Sequence, residues 1–204
     1  VAPRAAGAEV LRLPGDYRRR QGPHHAHQAH QTLAPPLRTN QAHRAQSHQH
    51  PPRFSCSPNT KVEGDVKDLI TLTKLTELWL GDTKIEGDIK DLFTLTKLTK
   101  LRLGSTNVGG NVKDLSTLTK LTDLILSNKV DGNMKNLSTL TKLTTLVLDD
   151  TKVEGNVKDL STLTNIDYLI LSGKNVKGND KDLIMLTNLA FLHLNGTYYN
   201  LGNQ

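Results

Sequence analysis

A repeat of about 23 residues governs the sequence from Thr60 onward. The string Thr-Lys-Val-Glu-Gly begins at Thr60, returns with Ile in place of Val at Thr83, and returns unchanged at Thr151. The aliphatic position of this string recurs with spacings of 23, 23, 22, 23 and 23 residues at Val62, Ile85, Val108, Val130, Val153 and Val176. Self-similarity at a period in this range is typical of stacked supersecondary units, so the period constrains the fold more than composition does.

Each repeat also carries the pattern Leu-x-x-Leu-x-Leu, with Ile replacing the first Leu once. Its last three positions alternate between apolar and variable residues, which predicts a short strand with one buried face. A strand in every repeat, with no helix long enough to cross a flat sheet, predicts coils stacked into an α/β solenoid. The triplets are Leu75/Leu78/Leu80, Leu98/Leu101/Leu103, Leu121/Leu124/Leu126, Leu143/Leu146/Leu148, Ile166/Leu169/Leu171 and Leu189/Leu192/Leu194.

These repeats resemble those of leucine-rich repeat proteins, over about 145 of the 204 residues. Within that family they are similar to the plant-receptor-like class, although Lys90 and its counterparts stand where that class usually has proline. The resemblance implies short parallel strands on a concave face, with turns and short helical segments on the convex face. It also implies a ladder of side chains that satisfies the turn backbone, here mostly threonine at Thr60, Thr83, Thr106, Asn128, Thr151, Lys174 and Thr197.

Two other columns carry predictions of their own. Six glycines, one in each repeat from Gly64 to Gly178, are expected where the backbone turns sharply. Asp180 stands in a column that is otherwise aliphatic or Met, and Lys174 cannot accept a hydrogen bond as Thr does. We therefore expect the sixth coil to be looser than the others.

The sequence predicts two parts: a disordered tail over 1–58, and a repeat domain over 59–204 with six full repeats and a partial seventh that begins at Thr197. Residues 1–54 contain eight Arg, no Lys and two carboxylates, whereas residues 55–204 contain equal numbers of basic and acidic residues. The formal net charge of +6 therefore belongs to the tail. Nucleic acid is not an expected partner of the neutral repeat domain.

Three interpretations of the tail compete with a solvated linker. His24, His25, His27 and His30 could bind a divalent metal, and Arg18–Arg20 could contact phosphates. Alternatively, part of the tail is repeat coding sequence translated in a shifted frame. Codons for Thr-Leu-Thr-Lys, taken from the third base, give Ala-His-Gln or Ser-His-Gln, and such tripeptides begin at Ala26, Ala29 and Ser47.

The candidate binding site comprises the variable positions of the predicted strands. Variation among otherwise copied repeats is where specificity can be encoded, and exposed aromatic residues with Arg are typical of interface centres. The resemblance implies that this concave face binds a protein or peptide ligand. The candidate residues are Glu77, Trp79, Lys100, Arg102, Asp123, Ile125, Val147, Tyr168, Ile170, Phe191 and His193.

A second hypothesis assigns the solenoid an ice-binding or purely structural role. Regular threonine ladders occur at two positions of the repeat and resemble those of ice-binding proteins. The ladders are Thr76/Thr99/Thr122/Thr144 and Thr71/Thr94/Thr117/Thr139/Thr162. Trp79, Lys100 and Arg102 interrupt the flatness beside the first ladder, which favours the protein-binding hypothesis.

No pattern in the sequence supports catalysis, and no cofactor or metal is expected in the repeat domain. His193 is its only histidine, the single Cys56 allows no internal disulfide, and no apolar run is long enough for a membrane helix. Asn136 and Asn195 begin triplets that are glycosylation acceptors only if the chain is secreted. The missing cap before Thr60 and the partial seventh coil predict a fragment of a larger receptor or scaffold protein. They also predict self-association through the solenoid ends, or fraying at Val62–Leu80.

Overall fold

The computed structural model describes residues 53–55, 62–126 and 128–200. These residues form a stack of coils in which sheet 1 has eight strands and sheet 2 has six. Along the chain the strands alternate between sheet 1 and sheet 2, except that the last two strands both belong to sheet 1. Strands of successive coils pair in parallel, which confirms the predicted solenoid of short parallel strands.

Sheet 1 is built from the Leu-x-Leu part of each repeat. Leu78 is fully buried, whereas Trp79 beside it points away from the core and is half-buried, as the two-residue period of a strand requires. The register aligns Leu78 with Leu101 and Leu101 with Leu124. The strands are β1 (Arg53–Ser55), β3 (Glu77–Trp79), β5 (Lys100–Arg102), β7 (Asp123–Ile125), β9 (Thr145–Leu148), β11 (Tyr168–Leu171), β13 (Phe191–Leu194) and β14 (Thr197–Asn200).

Sheet 2 comes from the Thr-Lys-aliphatic-Glu-Gly string, whose sequence pattern does not predict a strand. Ile85 is buried between the exposed side chains of Lys84 and Glu86, and every strand of sheet 2 after the first contributes a single aliphatic side chain to the core in this way. The strands are β2 (Glu63–Asp65), β4 (Lys84–Asp88), β6 (Asn107–Asn111), β8 (Lys129–Asn133), β10 (Lys152–Asn156) and β12 (Val176–Lys177).

A short 3-10 helix follows each strand of sheet 2. With three residues per turn, side chains at i and i+3 align, so Val66 and Leu69 both face the core. An Asp or Asn before the helix accepts a hydrogen bond from the backbone two residues later, as Asp65 does from Lys67 at 2.9 Å. The helices are Val66–Leu69, Ile89–Thr94, Val112–Leu115, Met134–Leu137, Val157–Leu160 and Asp180–Leu183.

The Asp65 cap also forms an ion pair, with Lys67 Nζ 3.1 Å from Asp65 Oδ2. Burial raises the pKa of the Asp65 carboxyl, but hydrogen bonds from the backbone and side chain of Lys67 outweigh it, so the pKa lies below its usual value. The same pairing raises the pKa of the Lys67 ammonium group. The next coil repeats this ion pair, with Lys90 Nζ 3.4 Å from Asp88 Oδ2.

Stacked columns of leucine side chains fill the core between the two sheets and the 3-10 helices. Leu101, Leu124 and Leu146 are fully buried, and so are Leu95, Leu118 and Leu140 at the turn before each strand of sheet 1. Burying each such side chain stabilises the fold by about 1.5–3 kcal/mol relative to leaving it exposed. A stack of apolar columns therefore holds the coils together.

Threonine takes the role that asparagine has in the family ladder. Thr83 Oγ1 donates to Leu80 O at 2.7 Å and accepts from Ile85 N at 3.4 Å. Thr106 and Thr151 repeat both contacts and are equally buried. The hydroxyl therefore provides hydrogen-bond partners for one carbonyl and one amide of the buried turn backbone.

The sixth coil departs from this pattern where the sequence predicts it. Lys174 and Asp180 are exposed, and β12 spans only Val176–Lys177, whereas the preceding strands of sheet 2 from β4 to β10 have five residues each. An acid in an aliphatic column and a cation in the hydroxyl column therefore shorten the sheet in this coil.

Sheet 1 begins earlier than the repeat pattern predicts. Arg53–Ser55 lies inside the predicted tail, yet it forms β1, which pairs in parallel with β3 and aligns Phe54 with Leu78. Phe54 is buried in the core. The rest of the predicted tail, with its candidate His and Arg sites, lies outside the described residues.

Sheet 1 also contains an antiparallel pair that the repeat pattern does not predict. Instead of opening a seventh coil at Thr197, the chain turns back, and β14 pairs antiparallel with β13. The two-residue turn is Asn195-Gly196, with φ of 48° and 84°. Positive φ at both positions is the signature of a type I′ hairpin turn. Self-association through the ends of the solenoid stays a prediction.

Candidate binding face

The strands of sheet 1 bring all the predicted binding residues together on one face. Side chains that alternate with the buried leucines point away from the core, and the parallel register aligns them in two columns. We call this surface the outer face of sheet 1. Its columns are Glu77, Lys100, Asp123, Thr145, Tyr168 and Phe191, and Trp79, Arg102, Ile125, Val147, Ile170 and His193.

Two carboxylates on this face are buried rather than open to solvent as their strand positions predict. Glu77 is 6% exposed and lies between two cations, with Arg53 Nε 2.6 Å from its Oε2 and Lys100 Nζ 3.4 Å from its Oε1. Glu77 Oε2 accepts no hydrogen bond among the described residues, so its contact with Arg53 is an ion pair only. Packing by the two flanking strands covers Glu77, which explains its burial.

Asp123 is 7% exposed and pairs with Arg102 on the neighbouring strand. Arg102 Nε donates to Asp123 Oδ1 at 3.1 Å, and Arg102 Nη2 donates to Oδ2. This two-point geometry is the strong form of a guanidinium–carboxylate pair. Because Arg102 aligns with Ile125 and Lys100 aligns with Asp123, the pair runs diagonally across the sheet.

Trp79 lies between two guanidinium groups. Arg53 Cζ is 4.5 Å and Arg102 Cζ is 4.7 Å from the centroid of the indole ring, and Lys100 Nζ is 5.9 Å away. Each contact is within the range of a cation–π interaction. The strand β1 therefore closes one side of Trp79, a residue whose strand position predicts contact with solvent.

Arg53→Ala should shift the fluorescence emission of Trp79 to longer wavelength. The substitution uncovers one face of the indole and removes a partner of Glu77, and the expected loss of stability is about 1 kcal/mol. Trp79 is the single tryptophan, so its spectrum reports on this site alone. Lys84→Ala, on an exposed position of sheet 2, is the control and should leave the spectrum unchanged. An unshifted spectrum in Arg53→Ala would contradict the docking of β1.

At the end of the outer face opposite Trp79, the side chains are aromatic. Tyr168 and Phe191 stack with ring centroids 4.6 Å apart and planes 9° apart. The hairpin adds Tyr198, which stacks on His193 at 4.1 Å and meets Phe191 at 6.2 Å. Burial raises the pKa of the Tyr168 phenol, and the nearby Tyr198 adds to the increase.

Tyr198 is a candidate binding residue that the repeat pattern does not reveal. It is 50% exposed, and it reaches this face because the Asn195-Gly196 turn folds β14 back beside β13. An Asn-Gly pair between apolar segments is the strongest short-range hairpin signal, so this residue could have been found. Its position in the register of the predicted seventh coil concealed it.

An aliphatic strip lies between the charged residues around Trp79 and the aromatic rings. Ile125, Val147 and Ile170 occupy adjacent positions on β7, β9 and β11, and all three are half-buried. The strip continues into the aromatic cluster, so apolar side chains line the outer face across four neighbouring strands. An apolar strip of this kind on a protein surface is typical of an interaction site.

The threonine ladder beside this face is engaged in bonding between coils. Thr99 Oγ1 donates to Thr76 O, Thr122 Oγ1 to Thr99 O, and Thr144 Oγ1 to Thr122 O, each at 3.0 Å. In the second ladder, Thr94 and Thr162 donate in the same way to the preceding coil. These hydroxyl groups donate hydrogen bonds to backbone carbonyls of the preceding coil. Ice binding stays an untested hypothesis.

Comparison with solved structures identifies the fold. The internalin InlF of Listeria monocytogenes superposes with a TM-score of 0.57 at 22% identity, over 69% of this chain and 40% of that chain. The plant peptide hormone receptor RGFR1, solved in complex with RGF2, gives a TM-score of 0.61 at 29% identity. The chain is a leucine-rich repeat protein by fold.

The plant receptors are the relevant comparison for the predicted subclass. The ectodomain of the Arabidopsis receptor kinase HAESA, solved with an IDA peptide hormone ligand, superposes with a TM-score of 0.58 at 26% identity. This leucine-rich repeat protein spans only 23% of RGFR1 and 24% of HAESA, although 68% and 67% of its own residues are covered. No protein-family model matches the sequence, and neither does any curated protein.

Within the described residues, no helix has the length and apolar character needed to span a membrane. The same part of the chain contains no group of three or more His, Cys, Asp or Glu side chains arranged to hold a metal ion.

Proposed function

We propose that this leucine-rich repeat protein is a non-catalytic binding module that holds a protein or peptide partner on the outer face of sheet 1. The observation that carries the proposal is the contrast between the two sides of each coil. The core and turn positions are copied from repeat to repeat, whereas the outer columns vary and gather aromatic and aliphatic side chains on one continuous surface.

Two solved structures with similar folds support this proposal. RGFR1 is a plant peptide hormone receptor solved in complex with RGF2, and the HAESA ectodomain was solved in complex with a peptide hormone ligand. A repeat module that presents varied side chains on a rigid sheet is suited to this use because little ordering is needed on binding.

Replacing the apolar centre of the outer face should abolish partner binding. In a pull-down with the full chain, Ile170→Ser/Phe191→Ser should lose the captured partner by a factor of at least about 30, as expected for hot-spot residues. The control is Phe93→Ser, which removes a 58% exposed aromatic residue from the 3-10 helix Ile89–Thr94, away from sheet 1. Circular dichroism should show all three proteins equally folded. If the double variant and Phe93→Ser capture the same proteins as the original chain, the proposal is wrong.

A further inference from the structure

The outer face of sheet 1 divides into two halves of different chemistry. The charged half consists of Arg53, Glu77, Trp79, Lys100, Arg102 and Asp123, and the aromatic half consists of Ile125, Val147, Tyr168, Ile170, Phe191, His193 and Tyr198. In the charged half, Glu77 and Asp123 are paired with the surrounding cations, and Trp79 is covered by two guanidinium groups. None of the ion pairs among the described residues involves the aromatic half.

The charged half is closed to an apolar ligand by its own contacts. A ligand that reached Trp79 would displace Arg102, which would leave the nearly buried Asp123 without its two-point partner, or Arg53, which would leave Glu77 with Lys100 alone. Removing one partner of a buried ion pair is strongly destabilising. Ligand contact therefore falls on the aromatic half, where no such pair has to be broken.

Carboxylates border the aromatic half at both ends of its strands. Asp167 directly precedes β11, and Asp149 and Asp150 directly follow β9. All three are exposed and belong to none of the ion pairs in the described part of the chain, although Asp149 accepts a hydrogen bond from Ser172. The strand-flanking residues of the charged half include a single acid, Asp82. Acidic residues at the strand ends are therefore concentrated beside the aromatic half.

We propose that the aromatic half binds an extended peptide segment in which apolar side chains are flanked by Lys or Arg. This inference rests on the proposed function and specifies the partner's chemistry. The apolar side chains lie over Ile170 and Phe191, and the cations approach the carboxylates at the strand ends and the faces of the aromatic rings. Acidic segments are disfavoured because like charges face one another across the border.

The test is a selection from a random dodecapeptide phage library on the immobilised full chain. Enriched peptides should contain apolar residues together with Lys or Arg, and should be depleted of Asp and Glu relative to the starting library. A synthetic copy of an enriched peptide should bind Asp149→Asn/Asp167→Asn about fivefold to tenfold more weakly, because two rim charges are lost. The matched control is Asp114→Asn/Asp159→Asn, on the 3-10 helices, which should bind as the original chain does.

The outcomes separate this inference from the proposed function. Acidic peptides whose binding is lost in Ile170→Ser/Phe191→Ser would overturn the inference and leave the binding face standing. Peptides that bind equally well to that variant would overturn both. A selection that enriches nothing above an uncoated surface would overturn the inference, and the pull-down would still decide the function.

The chain's own basic segment is the competing occupant, since residues 1–52 contain seven Arg and two carboxylates. Neutralising it with Arg18→Gln, Arg19→Gln and Arg20→Gln in the full chain should leave the affinity of the enriched peptide unchanged within about twofold. A tenfold gain in affinity would show that this segment, rather than a separate partner, occupies the aromatic half.

Discussion

Gly110→Ala should lower the free energy of unfolding by about 2–4 kcal/mol, since it combines backbone strain with loss of a helix cap. Gly110 has a φ of 112°, and an added Cβ would lie 2.2 Å from Asp88 Oδ1 and 3.0 Å from Ile89 Cγ1 of the preceding coil. Asp88 Oδ1 cannot move away cheaply, because it accepts the hydrogen bond from Lys90 N at 2.9 Å that caps the 3-10 helix.

Two other glycines separate the causes of this effect. Gly196 has a φ of 84° with nothing within 4 Å of an added Cβ, so Gly196→Ala should cost only the backbone strain, about 1–2 kcal/mol. Gly81 is not among the positive-φ residues, and its added Cβ would meet Gly104 O at 3.4 Å, so Gly81→Ala should be nearly neutral. Urea unfolding followed by circular dichroism measures all three. Equal losses would exclude crowding by the Asp88 cap as a cause.

Leu124→Ala should cost about 2–5 kcal/mol, because it opens a cavity in the middle of the stack. Leu124 is fully buried on β7 and aligns with Leu101 on one side and Leu146 on the other. In a solenoid each coil is stabilised mainly by its neighbours, so a defect at this position weakens two interfaces at once.

The control for this substitution lies on the same strand. Ile125→Ala removes a half-buried side chain from the outer face, where solvent fills the space, and should cost less than about 1.5 kcal/mol. The midpoint and slope of urea unfolding distinguish the two variants. A loss in Ile125→Ala as large as that in Leu124→Ala would mean that the outer face carries as much of the stability as the core.

The apolar period accounts for how much of the solenoid could be predicted. Leu78, Leu101 and Leu124 recur in one register, and burial of each has the same geometric cause, so the sequence predicts the parallel stack and the inward columns correctly. Sheet 2 could not be found in this way. Its strands contribute at most one inward apolar residue, such as Ile85, and a single apolar residue between Lys84 and Glu86 gives no sustained alternation.

The sequence predicts which residues lie on the candidate face but not which of them are buried. The sequence places Glu77 and Asp123 in an outer column, and the structure confirms that location. Their burial depends on Arg53, which lies outside the recognised repeats, and on a diagonal contact with Arg102. β1 has Phe54 where the repeats have leucine, and its spacing to Leu78 is 24 residues rather than 23, so the repeat pattern does not include it.

The parallel pairing of successive coils also decides how the molecule responds to load. Hydrogen bonds between neighbouring strands point along the stack, so tension applied between its two ends loads all interfaces in series, and an end coil, which is held by a single neighbour, separates first. Each coil of about 23 residues that peels away adds roughly 80 Å of extended chain. Under pulling, the repeat region therefore lengthens in discrete steps and behaves as an extensible tether, while coils still stacked keep their outer columns in register.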